Sequence, residues 1–193
     1  MCLYIISKIE IVSADWGDRF TVEIAPNNNL PVTIERSIRR RHSNNGKMET
    51  NIKEIISSID KITTLDSAAA LTHLQELVDL YFNHPEAGNY LDVWFRLYER
   101  FPFDDGGGIF WTILHGIETY HPTSDRFTIE SVLRQPSEFP VMMVNALING
   151  GIDRVGDVNL LELLERLATN QLYSPRVRAQ AQGYLDYRQK SKL

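Results

Sequence analysis

The sequence predicts an all-α fold, an irregular stack of antiparallel helix pairs that follows a short β-rich N-terminal extension. Three observations predict it. From Asn51 to Lys190 apolar residues recur at helical spacing. Proline and glycine interrupt that pattern about once per helix. The connections left over are short, so consecutive helices must fold back on each other. Several of these helices are broadly apolar and need neighbours on more than one side.

Residues 1–47 differ from the rest. Leu3–Val12 and Phe20–Ala25 are rich in Ile, Val, Phe and Tyr, and Phe20, Val22 and Ile24 alternate with Thr21 and Glu23, the two-residue period of a strand. Trp16-Gly17-Asp18 and Pro26-Asn27-Asn28-Asn29 read as turns, and Leu30 to Ile38 as a third extended piece. Arg39-Arg40-Arg41 and Ser43-Asn44-Asn45-Gly46 read as a linker. Two readings of this segment are open. It is either an upstream extension with Met48 as an alternative start, or a β-hairpin packed on the helices.

Residues 48–193 form the helical domain, with about eight helices. The first is expected over Asn51–Ile62, where Ile52, Ile55, Ile56, Ile59 and Ile62 share a face and Asn51 with Glu54 makes a capping signal. The second runs from Asp66 to Asn83 with the stripe Leu71, Leu74, Leu77, Val78 and Tyr81, and Pro85 stops it. The third, Asn89–Arg100, puts Leu91, Trp94, Phe95 and Tyr98 on one side. The loop Asp104-Asp105-Gly106-Gly107-Gly108 leads to the fourth, Ile109–Tyr120. The fifth covers Ser124–Arg134. The sixth covers Ser137–Asn149, with Pro140 in its first turn and Gly150-Gly151 as its stop. The seventh, Val158–Thr169, is led by Asp157. The eighth opens with Ser174-Pro175, an N-cap followed by proline at the first helical position, and runs to Gln189.

Composition sets the class. With 193 residues, 43% hydrophobic and 23% charged, the chain is one ordinary globular domain with room for a small appendage. No apolar run approaches the roughly 20 residues that span a bilayer. Leu3–Val12 is broken by Ser7, Lys8 and Glu10 and makes a poor signal peptide. Cys2 is the single cysteine, so neither an intrachain disulfide nor a cysteine-based zinc site can form. That fits a reducing compartment, and a cytoplasmic location is expected.

The net charge of −5 is unevenly spread. Residues 48–140 carry six Lys/Arg against fifteen Asp/Glu, whereas the segments before and after each carry seven against five. An acidic middle repels phosphate and argues against nucleic acid. It suits a basic protein partner, since opposite potentials speed encounter. The competing reading is that the acids serve solubility alone.

No catalytic signature stands out. The glycine-rich loop at 104–108 lacks the Gly-Lys-Ser/Thr of a P-loop, and its aspartates lack the ligand spacing of a calcium loop. It reads as a turn whose acids favour the next helix's positive end, or as a protein contact. His84 and His121 precede prolines at helix ends, where they can meet free carbonyls, and His73 and His115 sit within helices. A helical turn separates His115 from Glu118, but the second histidine of a zinc motif is missing. No Gly-x-Ser-x-Gly elbow is present, and Cys2 has no helper nearby. Neither a metal nor any other cofactor is expected. Trp111 lies off the stripe of Ile109, Ile113, Ile117 and Tyr120, so it is either an exposed binding anchor or packed on the next helix pair.

The stretch Pro175–Leu185, with Val177, Arg178, Ala181 and Leu185, resembles the second helix of a HEAT repeat. More broadly, Leu91-Asp92-Val93-Trp94-Phe95, Asp104-Asp105-Gly106-Gly107-Gly108, Gln135-Pro136-Ser137-Glu138-Phe139-Pro140 and Ala181-Gln182-Gly183-Tyr184-Leu185-Asp186 resemble helical immunity proteins of bacterial polymorphic toxin systems, of the contact-dependent-inhibition and Rhs type. The resemblance spans Leu91 to Leu185 and leaves out residues 1–47. It implies a small cytosolic protein that binds one cognate toxin, often a nuclease with a basic active site, and occludes it. On that reading the partner-binding residues are Asp92, Glu99, Asp104, Asp105 and Glu118, with Trp111 as an aromatic anchor. Two other classes stay open: a non-catalytic helical adaptor for another bacterial protein, and a hydrolase with an unrecognised site.

Overall fold

The computed structural model describes residues 51–190, together with the backbone of Glu23–Ile24 and Val32–Thr33. The chain divides into two units, Met1–Met48 and Glu49–Leu193. In the first, β1 (Glu23–Ile24) pairs antiparallel with β2 (Val32–Thr33), Glu23 opposite Thr33 and Ile24 opposite Val32. Both strands fall in segments read as extended. The readings of Leu3–Val12, Trp16–Asp18, Pro26–Asn29, Arg39–Arg41 and Met48 lie outside the described residues.

The second unit is mostly helical. Among the described residues it holds α1 (Ile52–Asp60), α2 (Ala68–Phe82), α3 (Asp92–Arg100), α4 (Ile109–Glu118), α5 (Thr123–Arg134), α6 (Glu138–Asn149), α7 (Leu160–Thr169) and α8 (Pro175–Lys190). Their starts follow side-chain chemistry. The Asn51 side chain accepts from the Lys53 N–H at 2.9 Å, Ser67 from Ala70 at 3.1 Å, and Ser174 from Val177 at 3.2 Å. Each satisfies a backbone donor that the first turn leaves free, a contribution of about 1 kcal/mol.

Two starts are displaced by short elements that the spacing did not predict. Residues Ala87–Asn89 form a separate 3-10 turn, so α3 begins at Asp92 and not at Asn89. Before α7, β3 (Arg154–Val155) pairs antiparallel with β4 (Val158–Asn159) across Gly156-Asp157. Val158 is therefore in a strand. The cap of α7 is Asn159, accepting from Leu161 and Glu162 N–H at 3.0 and 3.2 Å, in place of Asp157.

Two apolar cores organise the helices. One joins α1 to α4 and takes in Phe139 and Met143 of α6. The other joins α5 to α8 and includes Val141 and Val144 of α6. Residues 139 and 143 lie on one face of a helix and 141 and 144 on the opposite one, so α6 serves both cores. The pairing α1–α2, α5–α6 and α7–α8 follows from short connections. The arrangement is irregular elsewhere. Leu71, near the start of α2, lies against Gly107, and Phe82, at its end, lies against Gly116 in α4. These two helices therefore run side by side in the same direction, with α3 intervening in sequence.

Candidate functional site

The loop between α3 and α4 is built by its glycines. Gly106, Gly107 and Gly108 have φ of +58°, +60° and +91°, in the left-handed region where a side chain is strained. A Cβ on Gly106 would also sit 2.8 Å from the Phe110 ring. The aspartates ahead of them fix the turn. Asp104 Oδ1 accepts the Gly106 N–H at 2.8 Å, and Asp105 Oδ1 accepts the Gly107 N–H at 3.0 Å. The Asp105 carbonyl accepts from Gly108 and Phe110 N–H at 3.0 and 3.1 Å. Both carboxylates are held at the start of α4, exposed, and in no ion pair among the described residues.

They open onto a groove of about 350 Å³ lined by Phe103, Asp104, Asp105, Trp111, Glu138, Phe139 and Arg176. Its floor is rigid. The Phe139 ring stacks on Tyr98 at 5.1 Å and meets Phe110 edge-on at 5.6 Å. Trp111 meets Phe139 edge-on at 5.2 Å and is 45% exposed. It is therefore both packed on the next helix pair and open to solvent. Arg176 of α8 lies over the Phe103 ring, 4.7 Å from its centre, and reaches Glu138 Oε2 at 3.4 Å. Three carboxylates face one guanidinium, leaving the groove acidic. Trp111, His115 and Glu118 continue along one exposed face of α4, with His115 Nδ1 3.0 Å from Glu118 Oε2.

Asp92 and Glu99 are elsewhere, and both are taken up internally. Arg134 of α5 donates to Glu99 through Nε at 2.9 Å to Oε2 and through Nη2 at 2.7 Å to Oε1. Ser131 Oγ adds a bond to Glu99 Oε1 at 2.6 Å. The same Arg134 Nη2 lies 3.1 Å from Asp92 Oδ1, and Asp92 also pairs with Arg96. Arg96 continues to Asp60 of α1 at 3.0 Å, and Arg100 donates to the Ile59 carbonyl at 2.8 Å. Asp60, Asp92 and Glu99 are thus balanced by Arg96, Arg100 and Arg134. The bond to Glu99 is the largest cause raising the Arg134 guanidinium above its ordinary pKa. For Arg96 burial acts the other way, and the bonds to Asp60 and Asp92 outweigh it. These two predicted partner residues therefore join α1, α3 and α5 and present no spare charge. Asp92–Arg96 was legible as a helical i,i+4 pair. Arg134, more than thirty residues away, was not.

The histidines make local contacts. His84 Nδ1 takes the Glu86 N–H at 3.1 Å, and His121 Nδ1 lies 2.9 Å from the largely buried Asp125, where free helix carbonyls had been expected as partners. Among the described residues no group of three or more His, Cys, Asp and Glu converges as a metal would require, and no helix is long and apolar enough to cross a membrane. No protein-family profile, curated protein or solved structure matches this chain.

Proposed function

We propose that the protein is an immunity-type inhibitor, which binds a basic bacterial toxin, a nuclease being the expected kind, and covers its active site. One observation carries this reading: Asp104 and Asp105, in no ion pair among the described residues, line one groove with the half-exposed Trp111. Fixed charges next to an aromatic anchor are what a protein interface uses for steering and affinity. The contact face comprises Asp104, Asp105, Trp111 and Glu118, and leaves Asp92 and Glu99 to the internal network.

The test is charge reversal. Asp104→Lys with Asp105→Lys is expected to weaken binding to the toxin encoded beside this gene by at least about thirtyfold at low salt, since breaking a desolvated pair costs about 2–5 kcal/mol. Unchanged affinity removes this face from the interface. Co-purification from the native host identifies the partner independently.

A further inference from the structure

We infer that the groove between the α3–α4 loop, α6 and α8 is a receptor for a single arginine side chain of the protein partner. The inference takes the existence of a partner from the inhibitor reading, and its chemistry from the groove alone. The groove already holds one guanidinium: Arg176 lies 4.7 Å from the centre of the Phe103 ring and 3.4 Å from Glu138. That contact pairs an aromatic face with a carboxylate. The rest of the lining repeats these residue types: Trp111 offers a half-exposed indole, the strongest cation–π acceptor, and Asp104 and Asp105 carry no ion pair among the described residues.

Size and chemistry select arginine. About 350 Å³ is near the lower limit for ligand sites and admits a side chain better than a cofactor. The planar guanidinium stacks on aromatic rings, is weakly hydrated and donates to two acceptors at once, whereas the lysine ammonium is a strongly hydrated point charge. The loop is preorganised for this. One oxygen of each aspartate is held by a backbone N–H, at 2.8 and 3.0 Å, which fixes the carboxylates before any partner arrives. Arg176 then sets the threshold, because its charge repels a second cation in the same groove.

The experiment titrates the intact protein with N-acetyl-arginine-amide and follows the Trp111 indole N–H by NMR, assigned through its loss in Trp111→Phe. N-acetyl-citrulline-amide, of similar shape and uncharged, is the control. A saturable shift is expected with the arginine derivative and none with citrulline. Asp104→Asn with Asp105→Asn should weaken binding at least about fivefold, as loss of charge-assisted bonds implies. Arg176→Gln should tighten it about threefold or more, because it removes like-charge repulsion. An equal response to citrulline, an unchanged affinity in the asparagine variant, or no saturable shift even with Arg176→Gln overturns the inference. If the derivative binds while charge reversal leaves toxin affinity intact, the arginine site stands and this face is not where the toxin docks. If charge reversal abolishes toxin binding while the derivative fails to bind, the opposite holds.

Discussion

Gly116 offers a severe test of the packing that positions α4. A glycine inside a helix costs about 1 kcal/mol relative to alanine, so Gly116→Ala would stabilise an unobstructed helix. Here the site is filled. A Cβ at this position would lie 2.5 Å from Phe82 Cζ and 2.7 Å from both Cε atoms. Ordinary contact requires the ring to retreat by about 1 Å. It has little freedom to do so, because it stacks on Trp94 at 5.6 Å and meets Tyr81 edge-on at 5.2 Å. Overpacking of this kind costs about 1–3 kcal/mol, and each disturbed aromatic pair about 0.5–1.5 kcal/mol. Against the propensity gain, the net expectation is a loss of about 1–2 kcal/mol. For a unit of this size that lowers Tm by about 2–8 °C. Thermal and urea unfolding followed by circular dichroism measure it. The same alanine placed in a Phe82→Leu background, where the obstruction is smaller, should cost less, with a coupling of at least about 1 kcal/mol. A more stable Gly116→Ala protein, or additive effects of the two substitutions, would refute the reasoning.

Two other perturbations follow from the same structure. Arg134→Ala leaves Glu99, whose side chain is 10% exposed, without its cation and should cost about 1–3 kcal/mol in urea unfolding. Arg134 is itself 45% exposed, so solvent screening holds the loss to the lower part of that range. Adding Glu99→Gln should restore part of it, and a loss under about 0.5 kcal/mol would mean the network adds little. At alkaline pH, burial pushes the Tyr98 and Tyr81 hydroxyls above the ordinary 10.0, and both donate to backbone carbonyls, of Phe110 at 3.1 Å and Ala87 at 2.8 Å. Their folded pKa values exceed the unfolded ones, so stability is full below about pH 10 and falls as pH rises beyond it. Phe at both positions should flatten that alkaline limb, and an identical limb in the double variant would count against the assignment.

What was legible in the sequence was local. The isoleucine stripe of α1 and the caps at Asn51 and Ser174 are side chains meeting their own turn, and spacing alone predicts them. The start of α7 was misplaced because Asp157 looked like a cap, yet Val155-Gly156-Asp157-Val158 carries a hairpin signal, a Gly-Asp pair between β-branched residues. The glycine loop was found for its composition, and the structure supplies the reason: three successive left-handed residues. Pairing was what composition hid. An excess of acids over residues 48–140 gives the sign of the field and not which acids are neutralised. Arg134 and Arg176, far along the chain, decide that for Glu99 and Glu138. Phe103, Glu138, Phe139 and Arg176 were missed members of the site, and the place of Arg176 in the groove depends on how α8 meets α6.

Fewer acids than the composition suggests, and better placed ones, are thus left to set the field outside the molecule. Asp60, Asp92 and Glu99 are offset within the fold and add little to the field at a distance. Asp104 and Asp105 are in no ion pair among the described residues, and their orientation is set by backbone bonds. The groove they open onto draws Phe139 from one apolar core and Arg176 from a helix of the other. Its shape therefore depends on both cores being formed. Substitutions at Phe139 would change packing and recognition together, and a lost interaction there would say nothing about charge. Asp104 and Asp105 lie outside both cores, and asparagine at each keeps an acceptor oxygen for the Gly106 and Gly107 N–H, so Asp104→Asn and Asp105→Asn change the field and leave the turn and the aromatic floor in place. A binding defect in those variants, with unfolding unchanged, separates electrostatic recognition from mere loss of structure.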